Sequence, residues 1–339
     1  MKTEMMTAAR IGKYFRWMEG VSLQQVPRPE PQENELLVKV RAAAVNPLDI
    51  LQITGQVRLL HPYAMPLTLG NECAGIVEKV GRRVTDFQVG DRVYARLPLD
   101  RIGAFAEYVA ADQGAWARMP AGYDFVTAAA IPLAGLTAWQ GLVEELEVQA
   151  GGRLLITGAS GSFGQVAVPI ARALGLRVVV TGNARARERF EAMGVEQYID
   201  YRQANYWDLL SGVDYVIDTL GAGEFEHGLS VLRPGGRLLS LRLGPNRAFA
   251  ERQGMPWLKR ELFALAGHKY DAAARRQGKE YRFLFVRSNG EQLRRVTEIV
   301  EQRGILPDID PHTFSLEQIR EVLALVAKGP VSGKVVIPM

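Results

Sequence analysis

Along the first third of the chain, apolar and polar residues alternate in short stretches broken by glycine. Leu36–Ala43 (LLVKVRAA) has the period of two that lays one face of a strand on a core. Glu72–Val80 and Asp91–Ala95 continue in that style, set apart by Gly70, Gly75, Gly81 and Gly90. Short strands punctuated in this way predict a small β-barrel-like domain over residues 1–125. Further along the pattern changes. Arg153–Thr157, Leu176–Thr181, a short strand ending at Tyr198–Arg202, Asp214–Thr219 and Gly236–Leu241 read as strands, and Tyr281–Arg287 closes the series. Their βα-type alternation predicts a doubly wound parallel sheet over residues 126–287, so the fold class is α/β. Gly290–Arg303 and Leu316–Lys328 carry amphipathic helical spacing. Gly333–Met339 (GKVVIPM) reads as a last strand that cannot extend the parallel sheet easily. It is expected to return to the first domain, which would then comprise residues 1–125 and 288–339.

The most informative stretch is Arg153–Gly175 (RLLITGASGSFGQVAVPIARALG). An apolar strand leads into glycines at three-residue intervals, and Gln165–Leu174 follows with helical spacing. Strand, glycine-rich turn and helix form the first unit of a dinucleotide-binding βαβ fold. The turn brings the backbone close to a pyrophosphate, and the helix N-terminus offers it free N–H groups and a positive dipole end. Ala159, Ser160, Gly161, Ser162, Phe163 and Gly164 are therefore cofactor-site candidates. Thr219, Leu220, Gly221, Leu241 and Leu243 join them from strand ends, where ligands bind in open parallel sheets.

Nicotinamide cofactors are distinguished at the end of the second strand. An Asp or Glu about 20 residues beyond the glycines holds the ribose 2′-hydroxyl of NAD. Here Thr181-Gly182-Asn183-Ala184-Arg185-Ala186-Arg187 offers no acid. Asn183 can donate to a 2′-phosphate, and Arg185 or Arg187 can pair with it. Tyr201 and Arg202 come near the same rim. Thr181, Asn183, Arg185 and Tyr201 are expected to bind NADPH in preference to NADH.

Composition narrows the class. A length of 339 residues suits two domains, and 47% hydrophobic residues fill an ordinary core. With one cysteine, Cys73, there is no intrachain disulfide and no cysteine-based structural zinc site. Phe125–Val143 is long and uncharged, but Pro132, Gly135, Thr137, Gln140 and Gly141 interrupt it, so a packed helical segment is expected rather than a membrane span. Without a secretory signal, a cytoplasmic protein is expected. A net charge of +4 comes from interspersed acids and bases, which speaks against nucleic acid as a partner.

The order of motifs resembles the medium-chain dehydrogenase/reductase superfamily, in its zinc-free quinone oxidoreductase and enone reductase branch. The resemblance spans essentially the whole chain. It rests on Ala44-Val45-Asn46-Pro47-Leu48-Asp49, Leu69-Gly70-Asn71-Glu72-Cys73-Ala74-Gly75, Val89-Gly90-Asp91-Arg92-Val93 and Gly135-Leu136-Thr137-Ala138. The turn at 158–164, Ile199-Asp200-Tyr201, Arg233-Pro234-Gly235-Gly236 and Gly333-Lys334-Val335-Val336 complete it. It implies a GroES-like catalytic domain beside a Rossmann domain, with the cofactor in a cleft between them. Zinc-dependent relatives place Cys and His near positions 46 and 71. Asn46 and Asn71 stand there instead, so no metal is expected.

By the same resemblance, Asn46 lies beside the nicotinamide, where its amide would hold the carboxamide or a substrate oxygen. Thr137 would lie near the nicotinamide ribose or phosphate. Leu284 and Phe285 belong to the strand whose backbone meets the carboxamide, and Lys334 belongs to the terminal cofactor motif. That strand also ends the sheet, which implies a homodimer. Some relatives carry a tyrosine shortly after the Asn-x-x-Asp segment, where Leu51 and Gln52 occur here. Tyr63 is the candidate to replace it, and water the other source of the proton. The expected reaction is hydride transfer from NADPH to a quinone or an α,β-unsaturated carbonyl. Two other readings compete with it. One is a non-catalytic NADPH-binding sensor or structural protein. The other is an enoyl reductase acting on carrier-bound acyl chains, with a docking patch at Arg242, Arg247, Arg252, Lys259 and Arg260.

Overall fold

The computed structural model describes residues 4–329 and 331–339. One compact unit takes the chain as far as Leu136 and again from Arg287, and a second spans Thr137–Val286. The first unit contains β1 (Met5–Ile11), β2 (Ser22–Pro27), β3 (Glu35–Ala44), β4 (Leu67–Thr68), β5 (Glu72–Val80), β6 (Arg92–Arg96), β7 (Tyr108–Asp112) and β8 (Trp116–Arg118). In β3 the alternation is visible as burial: Val38 and Val40 face inward while Lys39 and Arg41 stay exposed. Helix α1 (Pro47–Ile53) follows β3 directly, started by a proline whose fixed φ suits a first helical position.

Helices α2 (Phe125–Ala129) and α3 (Pro132–Trp139) then lead into a π-helical turn over Gln140–Glu145. By length and composition Phe125–Glu145 could cross a membrane, yet 67% of its most apolar window is buried in the structure, as in a packed segment.

The second unit holds β9 (Arg153–Ile156), β10 (Arg177–Gly182), β11 (Gln197–Asp200), β12 (Val213–Asp218), β13 (Leu232–Ser240) and β14 (Glu280–Phe283), with α4 (Ser162–Ala173) after β9. Its sheet runs β11-β10-β9-β12-β13-β14, and every neighbouring pair is parallel. The order doubles back at β9, the switch point at which such sheets take ligands. The closing strand is shorter than Tyr281–Arg287: β14 ends at Phe283. Lys279, just before it, is buried and donates to Leu229 O, which anchors the approach to β14 within its own unit.

The final strand, β15 (Val336–Pro338), pairs antiparallel with β3 in a sheet ordered β15-β3-β5-β6-β8. The end of the chain is thus part of the first unit. The helices Gly290–Arg303 and Ile319–Lys328 also lie there, the latter entered through a short 3-10 turn at Leu316–Gln318.

Candidate active site and nucleotide site

In the second unit, Leu154, Leu155 and Ile156 of β9 are fully buried, which fixes the strand in the sheet centre. The chain then turns at Gly158, whose φ of +63° is costly for any other residue. Gly164 is required by contact rather than conformation: a Cβ there would sit 2.1 Å from Ala159 O. Helix α4 has no side-chain cap at Gly161, so its first-turn N–H groups are left for a ligand. This cradle fits a pyrophosphate.

Two of the expected cofactor residues support the loop from beneath. Thr181 is buried, and its Oγ1 accepts from Gly158 N at 3.0 Å while its carbonyl accepts from Ala159 N at 2.8 Å. Ala159 itself is fully buried. Thr219, Leu220 and Gly221 are organised by a residue the sequence reading did not single out. Asp218 Oδ1 accepts from Leu220 N at 2.8 Å and Gly221 N at 3.1 Å, and Oδ2 accepts from Ser240 Oγ at 2.7 Å. Ser240 Oγ in turn accepts from Leu243 N at 3.2 Å. One buried carboxylate thereby shapes both strand-end loops. Its signal in the sequence was an acid closing the apolar run Asp214–Asp218. Leu241, Leu284 and Phe285 lie at or beyond neighbouring strand ends, and Thr137 is buried in α3.

At the rim, Arg185 and Arg187 separate. Arg187 pairs with Glu191 at 3.3 Å, donates to Tyr198 O at 3.4 Å and lies over the Tyr198 ring. Arg185 is exposed and has no ion partner among the described residues. Tyr198 Oη donates to Asn183 O at 2.6 Å, and Asn183 Oδ1 is a buried acceptor with no partner among the described residues. Tyr201 is exposed beside Gly182, with the Arg202 guanidinium over its ring. Asp200, opposite Gly182 in register, is turned inward, and its Oδ1 accepts from Arg202 N. Within the expected basic patch, Arg247 pairs with Glu261 at 2.6 Å and Arg252 with Glu145, while Arg242, Lys259 and Arg260 have no ion partner among the described residues.

In the first unit, polar residues meet beneath the surface where β3, α1, β5, β6 and the C-terminal segment converge. Glu72 Oε1 accepts from Asn46 Nδ2 at 2.9 Å and pairs with Lys334 Nζ at 2.7 Å, while Oε2 accepts from Leu133 N at 2.7 Å. Lys334 also donates to Asn46 Oδ1, and the second amide proton of Asn46 goes to Ala44 O at 3.2 Å. Both N–H bonds of Asn46 are therefore spent inside the protein. This differs from the donor role expected for it, because the sequence does not reveal that Glu72 and Ala44 are its acceptors. Lys334 likewise serves as Glu72's counter-ion.

The network continues through Asp49. Its carboxylate accepts from Asn46 N and from Asn71 Nδ2, each at 2.7 Å. Burial outweighs these donors and pushes the Asp49 carboxyl up to about 7. Asn71 and Gln52 pair amide to amide, at 2.7 and 3.1 Å, and Gln52 Nε2 donates to Tyr63 Oη at 2.5 Å. Burial raises the Tyr63 phenol above its ordinary range, with Gln52 and Arg96 opposing the shift. Arg96 is fully buried, and burial pulls its guanidinium down to about 10. Cys73 is a buried core residue whose thiol burial pushes upward.

As a zinc site this set does not fit. Carboxamides stand at 46 and 71, and the Lys334 ammonium already neutralises Glu72. Among the described residues no group of three or more His, Cys, Asp or Glu could hold an ion.

Comparison with known proteins agrees with this architecture. A model of the alcohol dehydrogenase GroES-like domain matches residues 32–121, and one described as zinc-binding dehydrogenase matches residues 193–337. A 2-methylene-furan-3-one reductase of Solanum lycopersicum is 30% identical over 318 residues, 91% of this chain and 73% of that protein. A quinone oxidoreductase of Sus scrofa is 36% identical over 246 residues, 70% of this chain and 73% of its own. The solved quinone oxidoreductase of Coxiella burnetii superposes with a TM-score of 0.81 at 26% identity, covering 99% of this chain and 100% of that one. A GroES-like domain joined to a parallel dinucleotide-binding sheet, with relatives of these kinds, is decisive. The chain belongs to the medium-chain dehydrogenase/reductase superfamily, in its branch of quinone oxidoreductases and enone reductases.

Proposed function

We propose that this protein is an NADPH-dependent reductase that transfers hydride to a quinone or an α,β-unsaturated carbonyl without a metal ion. The observation that carries the cofactor choice is the exposed Arg185, without an ion partner among the described residues, just beyond a strand that bears no carboxylate. Names of relatives support the acceptor class: a furanone reductase and a quinone oxidoreductase both reduce conjugated carbonyl systems. When bound, NADPH supplies the hydride. The α4 N-terminus and the loop at 158–164 would hold its pyrophosphate, Arg185 its 2′-phosphate, and the 219–221 and 241–243 loops its nicotinamide half.

Within the barrel unit, Asn46 joins Lys334 and Glu72 to the start of α1, and so sets the frame in which Tyr63 is placed. Asn46→Ala is expected to lower turnover more than NADPH affinity, and unchanged turnover would remove it from the catalytic frame. The deciding assay follows NADPH absorbance across quinones, short enones and long-chain enals. NADPH binding with no oxidation by any of them would instead mark a non-catalytic sensor.

The protein is further proposed to be a cytoplasmic homodimer. Strand β14 is the outermost of its sheet, and the helix Trp257–Arg276 packed on it exposes Trp257, Leu258 and Leu265. A monomeric mass by light scattering would defeat the dimer.

A further inference from the structure

Resting on the reading of NADPH as cofactor, we propose that Asp218 is the positioning residue for its nicotinamide half. It does so by holding from beneath the two strand-end loops that would receive that half. All the residues concerned lie in the sheet unit. Four of its strands end their apolar runs on a buried polar side chain: Thr181 near the end of β10, Thr157 just past β9, Asp218 closing β12 and Ser240 closing β13. Strand pairing sets these four in one transverse row. Val180 is in register with Ile156 and Ile156 with Ile217, so Thr181, Thr157 and Asp218 come next side by side, and Asp218 faces Ser240. A buried polar row of this kind is stable only where every member finds a partner.

The bonds converge on Asp218. Its Oδ1 accepts from Thr157 Oγ1 at 3.2 Å, from Leu220 N at 2.8 Å and from Gly221 N at 3.1 Å. Its Oδ2 accepts from Ser240 Oγ at 2.7 Å and again from Gly221 N at 3.1 Å. Both oxygens must accept, which a carboxylate can do and a carboxamide cannot.

Each bond also passes a constraint outward. With its proton given to Asp218, Ser240 Oγ offers its lone pairs to Arg242 N at 3.3 Å and Leu243 N at 3.2 Å. Thr157 Oγ1 accepts from Thr219 N at 3.3 Å, and Thr219 Oγ1 donates to Thr157 O at 2.8 Å. The loops 219–221 and 241–243 are thus pinned through their amides from below, while Leu220 and Arg242 stay exposed at the tips. The phosphate turn leans on another member of the row, since Thr181 accepts from Gly158 N and Ala159 N. Two ends of one nucleotide would therefore rest on different residues of the row, and Asp218 serves the nicotinamide end.

The test compares the affinity of the full chain for NADPH with that for 2′,5′-ADP, which keeps the phosphorylated adenosine and lacks the nicotinamide. Asp218→Asn preserves the shape but sets N–H groups against the donors at one oxygen. It is expected to weaken NADPH roughly tenfold by calorimetry, and to leave 2′,5′-ADP within about twofold. Ser240→Ala frees the 241–243 loop alone and should weaken NADPH about threefold, again sparing 2′,5′-ADP. Amide exchange supplies a readout without any cofactor. In Asp218→Asn, residues 219–221 and 241–243 should exchange faster while 158–164 keep wild-type rates. If Asp218→Asn does not fold, Ser240→Ala carries the affinity comparison and the exchange at 241–243.

Equal weakening of both ligands would reduce Asp218 to a support of the fold, and unchanged NADPH affinity would take the nicotinamide half off these loops. Either result overturns the proposal. Failure of the cofactor reading looks different: the wild-type chain would bind neither NADPH nor 2′,5′-ADP, and the positioning role would fall with it.

Discussion

In the sheet unit, the first turn of α4 has no side-chain cap, and Arg185 has no ion partner among the described residues. In the barrel unit, Asn46, Asp49, Asn71, Glu72 and Lys334 satisfy one another below the surface. The first arrangement leaves donors over for a ligand, so single changes there should alter affinity more than stability. The second is a closed network at low dielectric, in which losing one member strands its neighbours. Arg96 is the exception within it: a buried cation with two donors that find no partner among the described residues.

That contrast can be broken experimentally, and the largest effect belongs to the closed network. Lys334→Met leaves Glu72 buried without its counter-ion, and the loss is expected to reach about 3–5 kcal/mol by denaturant unfolding. A loss under about 1 kcal/mol would show that water reaches Glu72 and that the network is not closed.

Asp49 extends the same test to pH. Its carboxyl is raised from 3.8 to about 7 on folding, so the folded state binds more protons between those values. Stability should therefore fall as pH rises from about 4 to about 7, by a few kcal/mol at most. In Asp49→Asn that slope should vanish, even though the variant is less stable overall because the new amide cannot accept from both Asn46 N and Asn71. Urea midpoints measured across the range decide it, and an unchanged slope in the variant would assign the effect to another group.

Gly164→Ala probes the sheet unit where it is packed rather than open. The added Cβ meets the Ala159 carbonyl at 2.1 Å, which should cost about 2–3 kcal/mol in thermal unfolding and weaken both NADPH and NADH. Arg185→Ala is milder and specific. It should weaken NADPH about tenfold, leave NADH unchanged and leave stability within about 0.5 kcal/mol. Equal weakening of both cofactors would remove Arg185 from the 2′-phosphate. The smallest effect is expected at a surface pair: Glu298→Gln, which breaks the exposed contact with Arg295, should cost less than about 0.5 kcal/mol.

Much of the fold is written in periodicity. The alternation at Leu36–Ala43 is β3, the helical spacing at Gly290–Arg303 is a helix of those bounds, and the C-terminal apolar run pairs with β3. Ends were harder to read. The strand expected at Gly236–Leu241 begins at Leu232, because pairing of Val213 with Leu232 and a register shift beyond it carry β13 through Pro234 and two glycines. No local pattern reports such a partner.

The site divides along the same line. Glycines, the absent acid and the pair Arg185 and Arg187 were legible in order along the chain. Which arginine stays free was settled by the neighbours Glu191 and Tyr198. Arg96 left only a faint trace, a charge inside the apolar run Val93–Leu97. Gln52 and Asn71 carried no distinguishing signal for the bonds they make.

By itself the sequence determined the two-unit α/β architecture, the glycine-rich turn at 158–164 and the lack of a carboxylate at the end of the second strand of the sheet unit, because these follow from local periods, backbone freedom and charge. The tertiary structure alone decided what the polar residues of the barrel unit do. Asn46 meets Glu72 from 26 positions away and Lys334 from 288 positions away. Hydrogen bonds across such separations are fixed by how the strands pair, and that pairing turned Asn46 from an expected donor into a brace and set Gln52 and Arg96 around Tyr63.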